Sequence, residues 1–110
     1  MARRATAALA GEGPLLLADL VLAECVYVLE SFYEVERVRV AELMRAAIAL
    51  PSIAVIDELL LLRALELYEQ ARLDFADAYL VASAEATGVN VVMSFDRGID
   101  RMSTVTRIEP

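Results

Sequence analysis

LDFADAYLVASAEATGVNVVMSFD, Leu73 to Asp96, is the stretch whose reading decides the fold. It reads as an apolar helix followed by a buried strand, VNVVMSF (Val89 to Phe95), with acids at both ends. Asp74 and Asp77 open the helix, Gly88 closes it, and Asp96 stands where the strand runs out. In an open α/β sheet, ligands bind beyond the carboxyl ends of the strands, so an acid at Asp96 is a candidate for chemistry. Asp74 can serve as N-cap and Asp77 as the third helical residue, where acids suit the free amides and the helix dipole. For Asp77 this structural role competes with chemistry, because it lies one turn from Leu80 and Val81.

Upstream, Arg3 to Ala10 reads as a short helical stretch ended by Gly11 and Gly13. PLLLAD (Pro14 to Asp19) reads as a short buried strand, and Asp19 as the cap of a helix running to about Tyr33. EVERVRVAELMRAAIAL (Glu34 to Leu50) is an amphipathic helix stopped by Pro51, with Arg37, Arg39 and Arg45 as a solvated face or as contacts to phosphates or a partner's acids. SIAVI (Ser52 to Ile56) reads as a second buried strand. Asp57 reads as the cap of DELLLLRALELYEQA, whose Leu59 to Leu62 run suggests a helix covered on more than one side. Downstream, RGIDRM makes a turn in which Asp100 and Arg101 are surface or capping groups, and TVTRI (Thr104 to Ile108) is a last edge strand.

Composition bounds what this organisation can do. A chain of 110 residues forms one domain, residues 1–110. Hydrophobic residues make up 59% and the mean hydropathy is +0.55, which suggests an unusually complete core or an apolar interface. No apolar run is long enough for a membrane span, and the apolar part of MARRATAALAG is too short and weak for a signal peptide. A cytoplasmic location is the default expectation. Cys25 is the single cysteine, so neither an internal disulfide nor a cysteine-based zinc site is available. The net charge of −7 argues against a non-specific nucleic-acid coat, which would need excess positive charge, but not against an enzyme that meets RNA through a metal. With no histidine, imidazole triads and His-ligated metals are excluded, leaving carboxylates and water to handle protons.

Glu24 is the most informative residue of the Asp19–Tyr33 helix. Its neighbours one turn away, Leu20, Val21, Tyr27 and Val28, are all apolar, which places the carboxylate on a face that should be packed. A buried unpaired carboxylate costs several kcal/mol or shifts its pKa, so a cation is the simple compensation. A partner arginine, or a register that lets Glu24 reach the edge of the face, are the alternatives.

Strands alternating with helices indicate a mostly parallel sheet with helices on both faces. Glu24, Asp77 and Asp96 could then gather at one end of it. Hard oxygen ligands without histidine or cysteine favour Mg2+ or Mn2+ over zinc. Such clusters usually serve phosphoryl transfer or phosphodiester hydrolysis, where a cation activates water and offsets transition-state charge.

LAECVYVLE (Leu22 to Glu30), DFADAYLVASA (Asp74 to Ala84) and VVMSFDR (Val91 to Arg97), in this order and separation, resemble the PIN-domain ribonucleases, specifically the VapC-like toxins of type II toxin–antitoxin pairs. The resemblance covers nearly the whole chain. It implies a three-layer sandwich, a Mg2+- or Mn2+-dependent ribonuclease acting on RNA, a cognate antitoxin partner and a homodimer. It also implies that Glu24, Asp77 and Asp96 are the metal-binding and catalytic acids, with Ser94 in support and Asp74 at a more variable position.

The family's opening strand, which ends in an aspartate followed by Thr or Ser and Asn, has no counterpart here, and the chain starts inside the first helix at ARRATAALA. That strand is central in the family's sheet, between those corresponding to PLLLA and VNVVMSF. The expectation is therefore a weakly active or inactive chain that is prone to association. A second reading follows from the same gap: a catalytically incomplete module that binds an antitoxin or dimerises without cleaving RNA.

Overall fold

The computed structural model describes residues 13–110, so the helix expected at Arg3 to Ala10 lies outside the described residues. The chain forms two compact units, Met1–Glu58 and Leu59–Pro110. Both combine helices with parallel strands, as an α/β reading requires.

In the first unit, strand β1 (Leu15–Leu16) pairs in parallel with β2 (Ile53–Ala54), Leu15 opposite Ile53. Amide bonds from Leu15 to the Ser52 carbonyl (2.7 Å) and from Leu17 to that of Ala54 (2.8 Å) fix the register. Helices α1 (Asp19–Ser31) and α2 (Arg37–Ala49) lie between these strands in sequence. Helix α2 buries Val40, Ala41, Met44 and Ile48, a stripe at four-residue spacing. Helix α1 buries only Leu22 and Val26.

Several local expectations change here. The cap position of α1 belongs to Ala18, with Asp19 already in the first helical turn. Helix α2 starts at Arg37 rather than Glu34 because Glu34 has a φ of 51°, a left-handed conformation that a helix cannot contain. Leu50 is extended (ψ 133°), as a residue before proline must be, and α2 stops there. The two strands expected to be buried are short and largely open to solvent: Leu15, Leu16 and Ala54 are exposed and Ile53 is half-buried.

The second unit carries most of the buried side chains. Helix α3 (Glu58–Gln70), whose first turn holds the boundary between units, buries Leu61, Ala64, Leu65, Leu67 and Tyr68. Leu59 is exposed, so the leucine run is not covered all round as its composition suggested. Arg72, at φ 57°, turns the chain out of α3, and Asp74 occupies the cap position of α4 (Phe75–Thr87). Phe75 packs edge-on against Tyr68 (centroids 6.2 Å apart) and stacks on Tyr79 (6.3 Å).

Gly88 ends α4 at φ 75°, a conformation a β-carbon would strain. Strand β3 (Val91–Met93) follows, then a 3-10 helix (Arg97–Arg101) anchored by the fully buried Ile99, then β4 (Thr106–Ile108). Strands β3 and β4 pair in parallel, Val92 opposite Arg107. An ion-pair network ties the helices together: Arg63 of α3 donates through Nε and Nη2 to the two oxygens of Glu85 of α4 (2.7 and 3.0 Å) and through Nη1 to Glu66. Thr104 Oγ1 donates to the same Glu85 carboxylate (2.7 Å), so the approach to β4 joins the network.

Candidate metal centre

The segments that open α4 and follow β3 bring three acids together. One carboxylate oxygen each from Asp74, Asp77 and Asp96 lies within 4.8 Å of the others. Their placement follows from local structure. Asp74 is at the cap and Asp77 in the first turn of α4, three residues on and therefore on the same side of the helix. Asp96 precedes the 3-10 helix and caps it, its Oδ1 accepting from the Gly98 amide (2.7 Å).

Ser94 links the elements. Its hydroxyl donates to Asp77 Oδ1 over a long 3.4 Å and accepts from the Asp96 amide (3.0 Å). Gly98 is the residue that sequence reasoning passed over. A β-carbon there would lie 3.0 Å from Asp96 Oδ1, closer than ordinary packing tolerates. The signal was present: a glycine two residues after an aspartate is the pattern of an Asx turn.

Electrostatics divide the acids. Burial pushes the Asp77 carboxyl up to about 7, helped by its hydrogen bond to Asp96 and by the negative charges of Asp96 and Asp74. Asp96 moves the other way, held below the usual carboxylate range by the hydrogen bond from Asp77 and the amide of Gly98. Near neutrality the pair shares one proton, which sits on Asp77 and is donated to Asp96.

Glu24 stands apart in character. It belongs to α1 of the first unit and is exposed, not set in a packed face. The reason is rotational: the buried stripe of α1 is Leu22 and Val26, and a residue two positions from each points roughly 200° away. The apolar neighbours that suggested packing, Leu20, Val21, Tyr27 and Val28, are themselves exposed. With Val21, Cys25, Val28, Leu29 and Met44, Glu24 lines an open cavity of about 350 Å³. Burial and the neighbouring Glu24 charge both push the Cys25 thiol up.

The acids on α4 and after β3, in an α/β chain without histidine, suit a hard divalent cation. Residues 1–105 match the PIN domain family. The chain belongs to that family. No curated protein and no solved structure matches it. PIN domains are generally metal-dependent nucleases that bind divalent ions such as Mg2+ or Mn2+. Among the described residues of this PIN domain, no helix is long and apolar enough to cross a membrane.

Proposed function

We infer that this PIN domain is a metal-dependent endoribonuclease of the VapC-like toxin kind, hydrolysing RNA phosphodiester bonds in the cytoplasm and paired with a cognate antitoxin as a homodimer. The observation that carries the reading is the three-acid group, whose hard oxygens are the right donors for Mg2+ or Mn2+. Asp77 and Asp96 would hold the cation, with Asp74 beside them and Ser94 fixing their orientation. A cation bound there supplies Lewis-acid activation of water and offsets charge on the phosphate. Asp77 must give up its proton for that, so the proton it holds near neutrality is in competition with the metal.

Glu24 enters the proposal through the family resemblance. The three-layer sandwich belongs to the same reading, and parallel pairing within each unit supports it.

The test is cleavage of a labelled RNA by the purified chain with and without Mn2+, alongside Asp96→Asn and Glu24→Gln. Metal-dependent cleavage that D96N lowers by at least about a hundredfold supports the enzyme. A comparable loss in E24Q would give Glu24 its part. Cleavage that is indifferent to Mn2+ or to D96N sinks the reading.

A second reading, the binding module that sequesters a partner without cleaving RNA, is favoured by the open apolar face of α1, where Leu20 and Tyr27 are exposed. Toxicity and antitoxin binding would then both survive D96N, whereas an enzyme keeps only the binding.

A further inference from the structure

Arg107 of β4 is the best-secured cation near the acids, and nothing in the proposed reaction uses it. Its side chain is 10% exposed. The guanidinium donates through Nε and Nη2 to the two oxygens of Asp100 (2.9 and 3.1 Å), a bidentate fork. Nη1 donates to the main-chain carbonyl of Ser94 (3.0 Å) and, more distantly, to Glu109 (3.4 Å).

These two principal partners bracket one segment. Ser94 is its beginning and Asp100 lies in the 3-10 helix that follows Asp96. Between them run the contacts that aim Asp96: its amide on the Ser94 hydroxyl and its Oδ1 on the Gly98 amide. Besides the internal bonds of the 3-10 helix, the Ile99 amide donates to the Asp96 carbonyl (3.3 Å) and the Met102 amide to that of Ile99 (2.9 Å). A short 3-10 turn is a poor scaffold alone. Arg107 supplies the tie from outside it, on a strand whose register is fixed by pairing with β3.

We propose that Arg107 is a positioning residue for the metal centre, clamping Ser94 and Asp100 so that the segment between them presents Asp96 to Asp77 at cation-binding distance. This rests on the metal-site reading above. The guanidinium is required for its shape, because an ammonium cannot hold both Asp100 oxygens and the Ser94 carbonyl in one plane.

Charge and geometry predict opposite signs, which makes the idea testable. Removing a nearby positive charge should by itself strengthen binding of a cation. Loss of positioning should weaken it. A purely structural role would lower the melting temperature and leave the affinity of the folded protein where it was.

The experiment is Mn2+ titration of the full chain, followed by electron paramagnetic resonance of the free ion well below the melting temperature. The proteins compared are the parent, Arg107→Met, Arg107→Lys and Asp77→Asn. R107M and R107K should each bind Mn2+ about tenfold more weakly, as is typical when a group orienting a metal ligand is lost. R107K keeps the stem and the charge and carries the test should R107M not fold. Affinity in either variant equal to or above that of the parent overturns the clamp, provided D77N weakens binding by at least about a hundredfold. A parent that binds no Mn2+, or D77N that binds as the parent does, overturns the metal-site reading and the clamp with it.

Discussion

Helices α1 and α3 have the same length, thirteen residues, yet α1 buries two side chains and α3 five. The contrast extends to their units: among the described residues, six apolar side chains are buried in the first and fourteen in the second. Apolar content does not account for it, since α1 carries a valine, leucine, tyrosine or alanine at most of its positions. In α3 Leu61, Ala64, Leu65 and Tyr68 fall on one buried stripe, although Leu59 at its start is exposed. In α1 they surround the helix, and Leu20 and Tyr27, at 79% and 66% exposure, lie on the open side. The second unit is accordingly the one with a closed core and an organised polar site; the first presents surface.

Core truncation should show the largest difference between the units. Leu65 is fully buried, and Leu65→Ala should cost about 2–5 kcal/mol of unfolding free energy, whereas Leu20→Ala should change it by less than about 0.5 kcal/mol. Equal losses in urea denaturation would break the comparison. Next in size, Asp77→Asn should weaken Mn2+ binding by at least about a hundredfold, locating the affinity on the organised polar site.

The shared proton gives a pH signature. Below about 7 Asp77 is protonated, and a cation must displace that proton, so Mn2+ affinity should rise about tenfold per pH unit up to about 7 and flatten above it. In metal-free protein the sign for stability is opposite to the usual carboxylate. The folded state binds this proton more tightly than the unfolded state, so the Asp77 contribution is full below the unfolded value and falls away as pH rises through about 7. Glu85, lowered chiefly by its hydrogen bond from Arg63, behaves in the reverse way: its contribution is full above the ordinary carboxylate value and is lost as pH falls through its lowered folded value. Melting curves of the metal-free chain at pH 5.5 and 8, compared with those of D77N, separate the two; a pH dependence of affinity unchanged in slope above and below 7 would contradict the shared proton.

Gly98→Ala should weaken Mn2+ binding several-fold, because the added carbon meets Asp96 Oδ1 at 3.0 Å, with a stability loss of about 1 kcal/mol. The smallest expected effect makes the units alike. Each joins two helices through one left-handed non-glycine residue, Glu34 in the first and Arg72 in the second. Replacing either by glycine should relieve about 1 kcal/mol of backbone strain, offset in part by the entropy of the unfolded chain. A stability gain at one position and a loss at the other would mean that one side chain has a role beyond the turn.

The helices were legible because their signals are local: Pro51 after α2, Gly88 after α4, and Asp74 at the cap of α4 all stand where spacing put them. The positions of Asp77 in a first helical turn and of Asp96 past a strand end follow from the same local signals. The packed face that the apolar neighbours of Glu24 suggest is not found, because apolar residues lie all round α1 and the packed side is the one with Leu22 and Val26. Strand burial was overread from composition, which counts apolar side chains without showing what covers them. Arg107 could not have been found, because its partners Ser94 and Asp100 depend on the register of β4 against β3.

The parallel register has a consequence for anyone handling the protein. The Ser94 amide donates to the Ile108 carbonyl (3.0 Å), so residues after Ile108 leave the sheet on the same side as the acids. A polyhistidine purification tag fused there would bring imidazoles beside the acids of a chain that contains none. It would compete for the very ions whose affinity is being measured, and would turn a weak site into an apparently strong one.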